Sequence, residues 1–438
     1  MANSKKRYAL VGTGARAGMF VRAVAEAYPD VCELVAFCDL SQTRMDWYNK
    51  QLQSHGREAV PTYLADQFDQ MVAETRPDTV IVTTMDVVHH VYICRAMELG
   101  CDVITEKPMT IDVEKTRAIF DTIERTGRQL RVSFNYRYSP AYTKLREVVM
   151  NGTIGRPLNV DFSWLLNTSH GADYFRRWHR EKQNSGGLMV HKATHHFDLV
   201  NWWISSVPDT VFAGGSRRYY VPGTADMLKL DGRAGRCHTC PDAEKCPFRL
   251  NLENSPSLKG LYLDHEGYDG YFRDMCVFSE DIDIEDSMSV FAEYRNRVKL
   301  NYSLTAFSPW EGYVINFTGT EGRIEHRMEE TVYINADGTV PGALKKDKTM
   351  IKVYPLRDAP YDVNIWEAEG GHGGADPLMI KYLFDPSGQP EDKYQRASDH
   401  RAGAWSIITG IAANHSIISK HPVRIDDLIP DMELPEFI

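Results

Sequence analysis

The sequence predicts an α/β chain in two parts: a doubly wound parallel sheet at the N-terminal end, then an α+β part built on a large, open, mostly antiparallel sheet. Three observations predict it. Up to about residue 135, short β-branched or apolar runs alternate with helical ones, the pattern of βαβ units. The first of these runs passes into a helix through a glycine-rich turn, Val11-Gly12-Thr13-Gly14-Ala15-Arg16-Ala17-Gly18. After Gly155 the segments lengthen and alternate apolar with polar residues, and two of them are separated by Arg295-Asn296-Arg297 in the manner of a hairpin.

Taken in order, the parallel strands fall at 7–11, 34–39, about 60–63, 79–84, 102–105 and 130–134, with helices at about 16–27, 43–54, 66–75, 89–99, 112–126 and 140–150. The later alternating segments are 157–166, 286–294 and 298–306. The stretch from about 218 to 285 is rich in Gly, Pro, Asp and Cys and has little periodicity, so it reads as an insertion lying over the second sheet. The expected division is residues 1–136 for the first domain and 137–438 for the second, which carries the insertion.

Composition narrows the functional class. A chain of 438 residues that is 43% hydrophobic buries an ample core. Its net charge of −10 is spread along the chain, leaving no basic footprint for nucleic acid. No run approaches the roughly 18 apolar residues that cross a bilayer, and Lys5-Lys6-Arg7 leads straight into the first strand, so a cytoplasmic protein without membrane or nucleic-acid partners is expected. Its partner is then a small molecule. Cys32, Cys38, Cys94 and Cys101 fall in predicted strands or helices and read as buried thiols.

The glycine turn reads as a dinucleotide site. Gly12 lets the chain turn off the strand, Gly14 lets backbone approach a pyrophosphate, Ala15 and Arg16 open the helix on which phosphates sit, and Ala17 keeps helix and sheet close. Asp39 ends the next strand, where an acid bonds both hydroxyls of an adenosine ribose and repels a 2′-phosphate, which favours NAD over NADP. Arg44 follows five residues later, placed to stack on adenine or to meet a 2′-phosphate. The fourth strand ends near Thr84 and His89, the fifth at Glu106-Lys107-Pro108, and the sixth at Asn135-Tyr136-Arg137. Ligands gather at such carboxyl ends in an open α/β sheet, and Pro108 biases Lys107 toward an extended conformation that holds its ammonium at the strand end.

A second constellation lies at Gly186–Asp198. On one helix, His191, His195, Asp198 and Trp202 form a stripe in which an acid one turn away orients a base; hydrogen-bonded core and a divalent metal on His191, His195 and Asp198 are the other readings. Lys192 and His196 lie beside it, and Tyr136, Arg137, Arg177, Trp178, His179 and His372 are further candidates for substrate contact. In the insertion, Cys237-His238-Thr239-Cys240, Cys246 and Cys276 have the spacing of a structural zinc knuckle, with an iron–sulfur cluster, a disulfide or unligated thiols as alternatives.

With these motifs in order, the chain resembles the glucose-fructose oxidoreductase and inositol dehydrogenase (Gfo/Idh/MocA) family over most of its length. The likeness extends to Gly319-Thr320-Glu321-Gly322 and Gly370-Gly371-His372-Gly373-Gly374-Ala375-Asp376. It implies an N-terminal Rossmann domain, bound NAD(P), sugar or cyclitol substrates, and sheet-mediated homodimers or homotetramers. It also implies that Lys107 bridges nicotinamide and the substrate hydroxyl while His195 takes the hydroxyl proton. The family pattern has Asp four residues before that histidine and Gly two before it, where this chain has His191 and Ala193; His191 is therefore a candidate base too. Two alternatives accompany NAD-dependent dehydrogenation: a redox-neutral glycoside hydrolase that uses NAD transiently for oxidation and elimination, and a sensor that holds NAD without turnover.

Overall fold

The computed structural model describes residues 5–331, 350–368, 371–385, 387 and 391–438, without the side chains of 330, 331 and 371–373. The chain divides into two compact units. The first comprises Met1–Asn135, Leu252–Arg273 and Gly370–Ala404; the second comprises Tyr136–Asn251, Asp274–Glu369 and Trp405–Ile438.

The first unit is built on six strands, β1 (Lys6–Val11), β2 (Cys32–Asp39), β3 (Thr62–Leu64), β4 (Thr79–Val82), β5 (Asp102–Thr105) and β6 (Leu130–Val132). Their order is β3-β2-β1-β4-β5-β6 and every neighbouring pair is parallel, which is the doubly wound topology the sequence predicts. Val80, Ile81 and Val82 are wholly buried because helices cover both faces. The helix Val113–Thr126 begins where Asp112 accepts the Lys115 N–H at 2.9 Å and stops at Gly127, whose φ of 65° is left-handed. At the end of β1, Gly12 has φ 91°, and a Cβ there would stand 2.6 Å from the Thr84 nitrogen; only glycine lets the ends of β1 and β4 come this close.

Residues 252–273, which the sequence places in an insertion over the second sheet, pack with the first unit instead. Leu258, Leu261 and Tyr262 join the apolar cluster of Tyr8, Leu10, Phe37, Met45, Tyr48 and Leu52, and Gly260 lies against the Trp47 indole. Burial of these side chains against the helix Gln42–Ser54 is the reason for the difference. Ile380 and Phe384, from the late helix Gly371–Phe384, complete the same cluster.

The second unit contains β7 (Pro157–Asn167), β8 (Pro208–Ser216), β9 (Ser287–Tyr294), β10 (Lys299–Ser308), β11 (Glu311–Gly319), β12 (Gly322–Thr331), β13 (Met350–Pro355), β14 (Tyr361–Asn364) and β15 (Val423–Arg424). Among the described residues they form one sheet in the order β14-β13-β12-β11-β7-β10-β9-β8-β15, antiparallel throughout except between β7 and β10. The hairpin at Arg295-Asn296-Arg297 is present, with Arg297 at φ 68°. On β10, Leu300, Tyr302, Leu304 and Ala306 are buried while Lys299 and Asn301 are exposed. The helix Thr194–Trp203 lies on the buried face, Phe197 against Tyr302 at 5.1 Å and Trp203 against Phe317 at 5.6 Å between ring centroids.

Candidate functional site

In the first unit, the glycine turn and the end of β2 are tied together by one carboxylate. Asp39 accepts the Thr13 N–H, the Thr13 hydroxyl at 2.9 Å and the Ser41 N–H at 2.8 Å, and Arg44 Nη1 stands 3.4 Å from its Oδ1. A carboxylate has about four lone-pair sites, so a ribose diol bonds to Asp39 only in exchange for one of these donors. Arg44 is also paired with Asp269, and its guanidinium lies 5.7 Å from the Tyr262 ring centroid and 5.8 Å from that of Tyr271. The Ala15 N–H donates to Tyr262 Oη at 2.9 Å. None of Tyr262, Asp269 and Tyr271 was legible at this site from the sequence, because their segment has no periodicity that assigns it to either sheet.

At the end of β5, Glu106 is buried, takes the Arg16 Nε at 2.7 Å and accepts the Lys107 N–H at 3.2 Å. Lys107 is half-buried, and its peptide bond to Pro108 is cis. The expectation that Arg16 serves a cofactor meets this ion pair instead: its Nε is spent on Glu106. His89, also expected at the cofactor, is 1% exposed, with Nδ1 at 2.8 Å from the Pro108 carbonyl and Nε2 at 3.1 Å from the Thr84 carbonyl. Burial pushes its pKa down. His89 thus packs between the ends of β4 and β5, where a neutral imidazole donates to one of these two carbonyls. Asn135 is buried and donates to Asp376 Oδ1 at 2.6 Å.

In the second unit the predicted histidine stripe is broken. Leu188–His191 and Thr194–Trp203 are separate helices, because the Ala193 N–H reaches back five residues to Leu188 while those of His195 and His196 reach back only three, to Lys192 and Ala193. His191 consequently packs among Tyr174, Trp178 and His179, its ring 4.1 Å from that of His179. His195 instead stacks on Tyr136 at 4.2 Å, and Lys192 Nζ donates to the Tyr136 hydroxyl at 3.0 Å.

Asp198 does not orient a histidine. It forms a buried bidentate pair with Arg137, at 2.8 and 2.6 Å, which removes Arg137 from the substrate candidates and Asp198 from any metal set. His196 is a core residue: it is fully buried, its Nδ1 lies 2.6 Å from the Tyr302 hydroxyl, and its ring stacks on Trp164 at 4.1 Å. Trp178 is half-buried and Lys192 buried; the His372 side chain lies outside the described residues.

The structure adds a pair that the sequence did not disclose. His170 Nδ1 lies 2.6 Å from Glu311 Oε1, and His170 Nε2 lies 3.1 Å from the Tyr174 hydroxyl. Burial works to raise the Glu311 pKa, but His170, Lys192 and the Asn167 N–H outweigh it and hold the carboxyl below its usual value of 4.5. A carboxyl depressed in the folded state adds stability that is complete above its unfolded pKa and lost as pH falls through the folded one. Glu311→Gln is therefore expected to lower stability at neutral pH and to flatten its decline below about pH 4.5. Denaturant melts across pH 3–7 check this; parallel profiles for parent and variant would refute it.

Cys237, Cys240, Cys246 and Cys276 line one small cavity and form no disulfide. Cys237 Sγ receives the Leu250 N–H at 3.4 Å, Cys240 Sγ that of Ala234 at 3.5 Å, and the Phe248 and Phe278 amides bond to Cys246 and Cys276. Burial pushes the Cys246 thiol up to about 11. Among the described residues no three His, Cys, Asp or Glu side chains already stand as a metal-binding group.

Residues 6–134 match the family model described as "Oxidoreductase family, NAD-binding Rossmann fold", and residues 146–425 match its companion, "Oxidoreductase family, C-terminal alpha/beta domain". A Bacillus subtilis (strain 168) protein that carries the oxidoreductase name YteT is 35% identical over 433 residues, 97% of this chain and 98% of that one. The D-glucoside 3-dehydrogenase of Escherichia coli (strain K12) is 31% identical over 155 residues, 35% of this chain and 42% of its own length. An oxidoreductase of Agrobacterium radiobacter, solved with NAD+, L-tartaric acid and magnesium, has the same fold with a TM-score of 0.63 at 14% identity, over 97% of this chain and 100% of that one.

Proposed function

The chain belongs to the Gfo/Idh/MocA oxidoreductase family, and from that premise we propose that it is an NAD-linked dehydrogenase acting on a hydroxyl of a sugar or cyclitol. Lys107 carries the reading: a half-buried ammonium at the end of β5, its backbone fixed by Glu106. The residues at the nucleotide end fit NAD, since Gly12 leaves no room for a Cβ and Asp39 presents a carboxylate where a ribose diol bonds. Gly12, Gly14, Asp39 and Thr84 would hold the nucleotide, with the Ala15 N–H joining them once it leaves Tyr262 Oη and Arg44 paired beside Asp39. Bound NAD supplies the hydride acceptor. Lys107 stabilises negative charge on the substrate oxygen, and His195, its ring fixed flat against Tyr136, takes the proton. His191 stands apart from that stack, among Tyr174, Trp178 and His179, and is the reserve candidate for the base. The dehydrogenase name of the E. coli relative supports glycosides as the first substrates to try. Full-length protein given NAD and a panel of glycosides, free aldoses and inositols is expected to generate NADH with at least one of them; no NADH with any would overturn the proposal.

A redox-neutral glycoside cleavage is the second reading, and the His170–Glu311 pair favours it, because elimination beside a transient carbonyl needs an acid and base beyond Lys107 and His195. Sugar release from a glycoside without added NAD and without NADH accumulation is its signature.

We also propose that Cys237, Cys240, Cys246 and Cys276 hold a structural zinc ion. Four thiols around one cavity, each accepting a backbone N–H, suit thiolate ligands that close on a metal in a segment with little core of its own. Protein purified without chelator should contain close to one zinc per chain, and a chelator should lower its stability; a substoichiometric trace would retire the site. For assembly, the proposed homodimer or homotetramer forms through the open face of the large sheet, where Phe212 and Phe291 pair across β8 and β9 at 44% and 42% exposure.

A further inference from the structure

We propose that Asp269 selects NAD over NADP by withholding Arg44 from a 2′-phosphate. The inference rests on the NAD reading above and assigns coenzyme choice to a residue outside the glycine turn and β2.

An arginine shortly after β2 is a ready receptor for the extra phosphate of NADP, since its planar guanidinium binds phosphate oxygens in pairs. Here that group is spoken for. Its Nη2 is bonded to Asp269 Oδ2 and its Nη1 stands 3.4 Å from Asp39 Oδ1. The side chain is 15% exposed, between Tyr262 and Tyr271. Two carboxylates on one guanidinium leave the cluster net negative. A phosphate entering it meets like charge and must displace Asp269, whereas a ribose diol brings neutral donors that Asp39 accepts in exchange for one it holds now.

Asp269 is itself held in place for this role. Its Oδ1 accepts the Tyr271 N–H at 3.0 Å, which leaves Oδ2 for Arg44. The segment that carries it is anchored independently of the ion pair: Leu258, Leu261 and Tyr262 are part of the apolar cluster, and Tyr262 Oη takes the Ala15 N–H at 2.9 Å. Removing the Asp269 charge therefore frees Arg44 without detaching the segment.

The test is the ratio of the NADP and NAD dissociation constants for full-length protein, the parent against Asp269→Asn and Asp269→Asn/Arg44→Gln. Asp269→Asn is expected to improve NADP relative to NAD by at least about tenfold, and Arg44→Gln in that background is expected to abolish the gain. A ratio within about twofold of the parent while NAD still binds, or a gain that survives Arg44→Gln, would overturn the role of Asp269. Thermal melts that match the parent show that the variants are folded. If the parent binds neither nucleotide, the NAD reading falls and this one falls with it.

Discussion

Replacing Lys107 by alanine is expected to leave NAD binding close to that of the parent and to lower turnover by at least about a hundredfold. The backbone at this position is held by the Lys107 N–H bond to Glu106, and Glu106 is held by Arg16; neither contact uses the lysine side chain beyond Cβ. The end of β5 should therefore keep its shape. What is lost is a cation at the carboxyl end of a parallel strand, where the proposed alcohol oxidation would build negative charge on oxygen, whose stabilisation is worth several kcal/mol in rate. Titration of NAD against the variant, followed by steady-state assays on the substrate identified for the parent, separates the two effects. Turnover within about tenfold of the parent would remove Lys107 from the chemistry.

The parallel sheet was legible because its information is local. β1, β2, β4 and β5 each carry a short apolar run bounded by polar residues or turns, and such runs are what a sheet covered on both faces requires. The segment Leu252–Arg273 was not legible for the opposite reason. Its apolar residues Leu258, Leu261 and Tyr262 sit in short helical turns, and nothing in three side chains says which of two sheets they will cover. The contact to which coenzyme choice is assigned, Arg44 with Asp269, joins residues 225 apart in the chain.

The candidate site divides along the same line. The positions of Gly12, Asp39 and Lys107 could be read from the sequence because each lies at or just beyond the end of a strand whose position is itself readable. The histidine stripe assumed an unbroken helix, and a slip of hydrogen-bond register at Lys192–Ala193 sends His191 toward His179 and His195 toward Tyr136. Periodicity carries no signal of that slip, since all the residues involved are compatible with a helix. The His170–Glu311 pair, 141 residues apart, is a product of tertiary packing alone.

The largest expected loss of stability comes from Asp198→Ala. Asp198 and Arg137 have side-chain exposures of 2% and 0% and meet in a bidentate pair, with the guanidinium also over the Phe437 ring at 4.9 Å. Taking away the carboxylate removes the bidentate partner of a buried guanidinium that does not readily lose its proton, at a cost of about 3–5 kcal/mol. The attraction within the pair largely offsets its own desolvation, so the loss belongs to the buried charge that remains and not to the bond. The double variant Arg137→Met/Asp198→Leu, which removes both charges and keeps the volume, is therefore expected within about 1 kcal/mol of the parent. Denaturant melts followed by tryptophan fluorescence report on the right part of the chain, since every tryptophan except Trp47 lies in the second unit. Because Asp198 shares its helix with His195, the single variant should lose activity along with stability, and the apolar pair should restore both. Equal destabilisation by the single and double variants would show that the helix depends on the ion pair itself.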